Sequence, residues 1–357
     1  MHEFLIEYGL FAAKSLTLVL CILSAIGVII FLLSSRQTPS ESIEINKLNE
    51  KYEAMQEALE LEVLPKELIK QRQKQKKRKE KEEAKAEKAR YKCLSDTTDT
   101  PLEPEKARIF VIRFDGDMHA SETESLSDCI TAVLSIALPT DEVLVTINSA
   151  GGMVHHYGLA ASQLDRIKRR QIPLTVAVDL IAASGGYLMA CVANKILAAP
   201  FAVIGSIGVV AQVPNFHRLL EKHDIDIEQH TAGEYKTTLT MLGKNTDKGR
   251  KKFQLELEDT HALFKSFVSE HRTQVDIDAL ATGEHWYGSQ ALGLKLVDEI
   301  ITSEDYLLTK SKTHDIYEIE YVIQESLSSK LSHFFSEFCV KLQRSLAKHF
   351  RTTGPAV

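Results

Sequence analysis

Hydrophobic and polar positions fall into three regimes along the chain. From Leu16 to Leu33, 18 consecutive residues carry no charge, and Gly9 to Ala13 extends the apolar stretch back past Lys14. About 20 apolar residues cross a bilayer as a helix, and a lysine at one end can reach the interface. A cleaved signal peptide has an apolar core of only about 7–15 residues behind a basic leader, whereas this leader holds Glu3 and Glu7. Residues 1–36 therefore read as a retained transmembrane signal anchor in contact with membrane lipid. Over residues 41–92, Glu and Lys interleave on nearly every face. That pattern predicts a solvated helix, so 37–105 reads as a charged helical stalk and linker, closed by Pro101 and Pro104.

From residue 106 the period changes. Runs at 108–115, 142–148, 173–179 and 195–199 are short and rich in β-branched residues, which predicts strands. Between them, 121–138 and 153–170 read as helices, and another helix opens at Ser184. Alternation of this kind predicts an α/β domain over 106–325, a mostly parallel sheet covered by helices. Ligand and catalytic groups of such folds collect at the carboxyl ends of the strands. Both glycine pairs, Gly151–Gly152 and Gly185–Gly186, fall there. Residues 246–271 form a further long helix, and 326–357 an amphipathic C-terminal helix whose apolar stripe suits packing or oligomer contact.

Charge narrows the partners. The net charge is −6, yet residues 66–92 hold 13 Lys/Arg against 5 Asp/Glu, so the rest sums to −14. An acidic body argues against nucleic acid. The five cysteines have neither paired nor metal-ligand spacing, so no disulfide framework, metal or cofactor is expected. Around the span, Lys14 stands at its start, with Arg36 and Lys47 after it. These positions leave both sides of the membrane open for the domain.

Three segments carry candidate chemistry. In Ala182-Ala183-Ser184-Gly185-Gly186-Tyr187, a serine sits at a strand-to-helix turn among small neighbours that let a substrate backbone approach; an ordinary helix cap is the competing reading. In Asn148-Ser149-Ala150-Gly151-Gly152, two glycines after a strand free backbone N–H groups to face a developing oxyanion. A phosphate-binding loop is disfavoured, because neither nucleotide-binding glycine pattern is present. In Gly233-Glu234-Tyr235-Lys236-Thr237, a lysine that loses its proton on desolvation could serve a serine as general base. His155, His156, His217, His223 and His230 lie in no triad-like context. Adjacent helix positions point about 100° apart, so His155 and His156 cannot ligate one metal from one face.

Taken in order, A-A-S-G-G-Y at 182–187, the segment 199–209, G-E-Y-K at 233–236, and the stretches 283–288 and 291–299 resemble the signal peptide peptidase SppA family. The resemblance implies a ClpP/crotonase-like fold and a serine endopeptidase that acts on peptides or polypeptides through a Ser–Lys dyad. Ser184 would be the nucleophile and Lys236 the base. The amide of Gly185 and that of Gly151 or Gly152 would bind the oxyanion, and the chains would form a ring-like homo-oligomer at a bacterial inner membrane; Ser206 could orient the lysine or be a plain turn serine between Gly205 and Gly208. Ala150 stands where proline is common in this family, which relaxes the turn but keeps both glycines. Two other readings compete: a catalytically idle membrane scaffold that binds extended peptides, and an acyl-CoA enzyme of the crotonase type.

Overall fold

The structure is a computed structural model that describes residues 6–11, 14–15, 17–18, 40–94 and 106–324. The expected span at 16–33 and the amphipathic helix at 326–357 lie almost wholly outside them. Among the described residues, no helix is long and apolar enough to cross a membrane. Two compact units are present, residues 1–44 with 321–357, and Ile45–Glu320. The candidate site residues all belong to the second.

The chain enters through β1 (Ser40–Lys47), α1 (Leu48–Val63) and α2 (Lys66–Leu94). Residues 40–47 are thus a strand, where the polar pattern predicts helix. Ile43 and Ile45 alternate with Ser42, Glu44 and Asn46 at period two, the side-chain spacing of a strand. The start of α1 is rooted in the sheet. Leu48 is buried among Ile109, Val111, Leu144 and Ile316. Asn49 donates to the carbonyls of Ser311 (3.1 Å) and His314 (2.9 Å) and accepts the Ile316 amide at 2.7 Å. Further out, α1 and α2 hold each other by ion pairs, Arg72 with Glu60 and Lys76 with Glu53 and Glu57.

The predicted alternation follows. It runs β2 (Arg108–Gly116), α3 (Thr123–Ile136), β3 (Glu142–Ser149), α4 (Val154–Arg169), β4 (Leu174–Val178), β5 (Ile181–Ala183), α5 (Gly185–Ala190), β6 (Lys195–Ala198) and β7 (Val203–Gly205). Then come α6 (His217–Lys222), α7 (Asp247–His271), α8 (Ile277–Leu280), β8 (His285–Tyr287), α9 (Gly288–Gly293), β9 (Glu299–Ile300), α10 (Ser303–Lys310) and β10 (Asp315–Gln324). The sheet runs β1-β10-β2-β3-β4-β6-β9, while β5 branches from β3 to β7, and β7 to β8. The ladders from β10 to β9 and those of β5 are parallel, and β7–β8 is antiparallel. The fold is mixed α/β around a parallel-rich sheet.

Helix cover on both faces explains why β4 (LTVAV) is buried at every position. In α3, Leu126, Cys129, Ile130 and Val133 face inward, and in α4 Tyr157, Ala160, Ala161, Leu164 and Ile167 do so. Both sets have the three-and-four spacing of a helix with one buried stripe. What positions the site is the branch. Ser149, the last residue of β3, pairs with Ala182, and Ala183 pairs with Gly205. The carboxyl ends of β3, β5 and β7 therefore meet.

Candidate active site

Ser184 follows β5 directly and takes φ 52° and ψ −118°. A non-glycine residue at positive φ is uncommon and costs on the order of 1–3 kcal/mol, which persists only where the surroundings impose it. Here they do. The Ser184 amide donates to the Gly205 carbonyl at 2.8 Å, and the Ser184 carbonyl accepts the Leu188 amide at 2.9 Å. The next two residues begin α5 in contact with other elements. A β-carbon on Gly185 would fall 2.4 Å from the Tyr157 ring, and one on Gly186 would fall 2.5 Å from the Ser149 carbonyl oxygen. Only glycine lets the turn lie this close to α4 and β3.

The two glycine pairs, 33 or more positions apart in sequence, meet in space. Gly151 has φ 87°, and a β-carbon there would lie 2.6 Å from the Gly185 nitrogen and 2.8 Å from the Ser184 β-carbon. Gly152 presses on the Met118 carbonyl, which accepts the Met153 amide at 2.9 Å. The Gly151 amide donates to the Ser149 hydroxyl at 3.1 Å. Among the described residues the amides of Gly152 and Gly185 donate to no protein acceptor. An acyl oxygen needs two such open donors beside the nucleophile.

Ser206 joins the same wall. It follows Gly205, sits at φ 54°, is partly buried, and donates its amide to the Glu284 carbonyl at 2.7 Å. Lys236 stands apart. It lies on an exposed turn, its amide donating to the Gly233 carbonyl at 3.3 Å, and in the single chain no described contact joins it to Ser184. Its neighbours are anchored to α7. Glu234 pairs with Lys248, which holds the Glu234 carboxyl below the usual range, and the Tyr235 ring lies 5.8 Å from the Lys248 ammonium and 5.7 Å from that of Lys252. The long arm between β7 and α7 exposes Val210, Phe216, Leu219, Tyr235, Met241 and Leu242.

Other nucleophiles and bases are not placed for the chemistry. Burial pushes the Cys191 thiol up strongly and the Cys129 thiol up to about 11, so both stay protonated and inert at neutral pH. His155 and His156 stack at 4.4 Å, and His230 lies 3.5 Å from Glu228. Among the described residues no histidine hydrogen-bonds Ser184, and no group of His, Cys, Asp or Glu could hold a metal. Below the turn, Tyr187 donates its hydroxyl to the Leu296 carbonyl at 3.0 Å. The almost wholly buried Arg272 grips Asp298 at 2.8 and 2.9 Å.

Sequence reasoning gave no role to Tyr157 or Met118. Tyr157 lies on the inward stripe of α4 and is indistinguishable there from a core residue, and Met118 contributes through its backbone carbonyl, which no side-chain pattern announces.

Residues 3–164 match the model of the peptidase family S49 N-terminal region, and residues 166–316 match that of peptidase family S49. A Haemophilus influenzae protein described as "Probable protease SohB" is 48% identical over 342 residues, covering 96% of each chain. A protein of Buchnera aphidicola subsp. Acyrthosiphon pisum, described in the same words, is 51% identical over 245 residues, 68% of this chain and 73% of its own. A solved structure of a 1510-N membrane-bound stomatin-specific protease in complex with a substrate peptide aligns at 12% identity with a TM-score of 0.40, over 66% of this chain and 100% of that one. The chain belongs to peptidase family S49, beside the SohB proteases.

Proposed function

We propose that this peptidase is a serine endopeptidase with a Ser184–Lys236 dyad on a ClpP/crotonase-like fold. The observation that carries the reading is the strained Ser184, pinned by Gly205 and pressed against Gly151, with the open amides of Gly152 and Gly185 beside it. Because the Ser149 hydroxyl takes the Gly151 amide, Gly152 is the better partner for Gly185 in binding the oxyanion.

In the proposed reaction, Ser184 Oγ attacks the peptide carbonyl carbon while neutral Lys236 Nζ takes the hydroxyl proton. The carbonyl oxygen becomes the oxyanion. On collapse the C–N bond breaks, the lysine proton passes to the departing amine, and Ser184 carries an acyl ester. Water then attacks that ester with Lys236 again taking the proton, and the acid product leaves as Ser184 Oγ recovers one. Only a neutral lysine can act as base, and burial is what removes its charge. Lys236 is exposed in the single chain, and the arm carrying it exposes many apolar side chains. Both features support a ring-like homo-oligomer in which neighbouring chains cover the arm and complete the site. Ser206 would then orient the lysine ammonium.

The apolar stretch at 16–33 supports a single-pass anchor at a bacterial inner membrane. Peptide or polypeptide substrates there would be signal-peptide remnants or membrane-associated chains. A serine-reactive fluorophosphonate should label the full-length protein and fail to label Ser184→Ala. Equal labelling of both would reject the nucleophile, and no labelling of either would favour the idle scaffold.

A further inference from the structure

Tyr157 is fully buried on α4, yet its hydroxyl is not spent on the core. It donates to the Asp117 carbonyl at 2.6 Å and lies 2.6 Å from the Ser149 hydroxyl. The phenol gives its one proton to the Asp117 carbonyl, so the Ser149 hydroxyl proton lies between two acceptors, the Tyr157 oxygen and the Gly116 carbonyl at 3.1 Å, while Ser149 Oγ accepts the Gly151 amide at 3.1 Å. Gly151 N–H, Ser149 and Tyr157 are thus linked in one hydrogen-bonded set that ends on the carbonyls of Asp117 and Gly116. Gly116 makes room for it, since a β-carbon there would fall 2.5 Å from both hydroxyls. Burial also pushes the phenol's titration upward, so it keeps its proton.

The walls of the oxyanion site connect to this residue directly or through one neighbour. Asp117 precedes Met118, whose carbonyl abuts Gly152 and accepts the Met153 amide. Ser149 fixes Gly151, and the Tyr157 ring packs directly on Gly185. The set also selects between two adjacent amides, because the one it occupies cannot meet a substrate.

We propose that Tyr157 is a positioning residue of this peptidase: acting through Ser149, it engages the Gly151 amide, holds the 117–118 and 149–152 loops in register, and thereby presents the amides of Gly152 and Gly185 as the oxyanion pair. The proposal rests on the Ser184 reading above. A residue that only filled the core would lower stability and leave the balance between transition-state and ground-state binding alone.

The test uses the full-length protein as parent, Tyr157→Phe, Ser149→Ala, the double variant and Ser184→Ala, with a fluorogenic peptide and a peptidyl aldehyde that forms a tetrahedral adduct. For Tyr157→Phe we expect kcat to fall about 10–100-fold, since small misplacements at a reacting centre cost rate on this scale. KM should stay within about twofold and the aldehyde should weaken by the same factor as kcat. Ser149→Ala should show the same split, and the double variant should be no worse than the worse single one. Parental kcat and aldehyde affinity in both single variants would overturn the proposal while an inactive Ser184→Ala upheld the peptidase reading. An active Ser184→Ala would defeat that reading instead. If Tyr157→Phe does not fold, Ser149→Ala, which keeps the ring, decides; collapse of both would also count against a positioning role.

Discussion

Gly151 and Gly185 meet so closely that a single methyl group between them would collide: a β-carbon on Gly151 would stand 2.6 Å from the Gly185 nitrogen. Gly151 also sits at φ 87°, where an L side chain is strained. Gly151→Ala should therefore lower stability by more than ~1 kcal/mol and, by displacing the Gly185 amide, cut kcat by about 10²–10³-fold, the scale of a lost oxyanion donor. Thermal unfolding and peptide turnover measured on one preparation check both. A fully active, equally stable variant would contradict the described packing.

Stability should depend on acid through Asp141. Its carboxylate is fully buried and accepts from the Arg108 side chain at 3.1 and 2.6 Å and from the amides of Arg108 (3.1 Å) and Leu138 (2.8 Å). Burial alone would raise its titration, but Arg108 and the two amides outweigh that and hold it below the ordinary 3.8. A lowered folded value means stability that is full above the unfolded value and is lost as pH falls through the folded one. Asp141→Asn should destabilise by roughly 3 kcal/mol, the low end for breaking a buried pair, and should flatten the acid limb of stability against pH below 3.8. Urea unfolding at a series of pH values measures it; an unchanged acid limb would remove Asp141 from the account.

The base of the stalk should behave as core. Leu48 is 4% exposed among sheet residues, so Leu48→Ala should cost about 2–5 kcal/mol. Removing residues 1–36 should leave a folded domain, because β1 and α1 survive the cut. Recovery of that truncation only as aggregate would refute the modular arrangement.

How far the sequence was legible follows from the same contacts. Strands β2, β3, β4 and β6 and helices α3, α4 and α7 lie within two residues of their predicted ends, the helices because they are long enough to show their period and the strands because their apolar, β-branched runs stand out between polar segments. The three-residue strands β5, β7 and β8 show none, and these strands bring Ser184 beside Gly151 and Gly205. Proximity of the two glycine pairs was readable from their places at strand ends; their atomic contact was not. The opposite error arose at 40–47, where a strand with Ser42, Glu44 and Asn46 around its isoleucines looks like the polar helix that follows it.

Histidine should be dispensable. His155 and His217 are neither bonded to Ser184 nor part of a metal-holding group among the described residues. His155→Ala and His217→Ala should keep turnover within roughly tenfold of the parent, about 1.4 kcal/mol of barrier. Either variant as inactive as Ser184→Ala would reopen a histidine-based triad.

The most direct test of the dyad is the turnover number of Lys236→Arg in the assembled full-length protein, measured across pH. Arginine keeps the charge and approximate reach of lysine but is not deprotonated in the working range. The account predicts a loss of at least about 10²-fold, the low end for removing a general base, matched by Lys236→Ala. Parental activity should rise with pH as Lys236 gives up its proton. A Lys236→Arg protein that turned over peptide at nearly the parental rate would contradict the central claim that Lys236 is the base for Ser184.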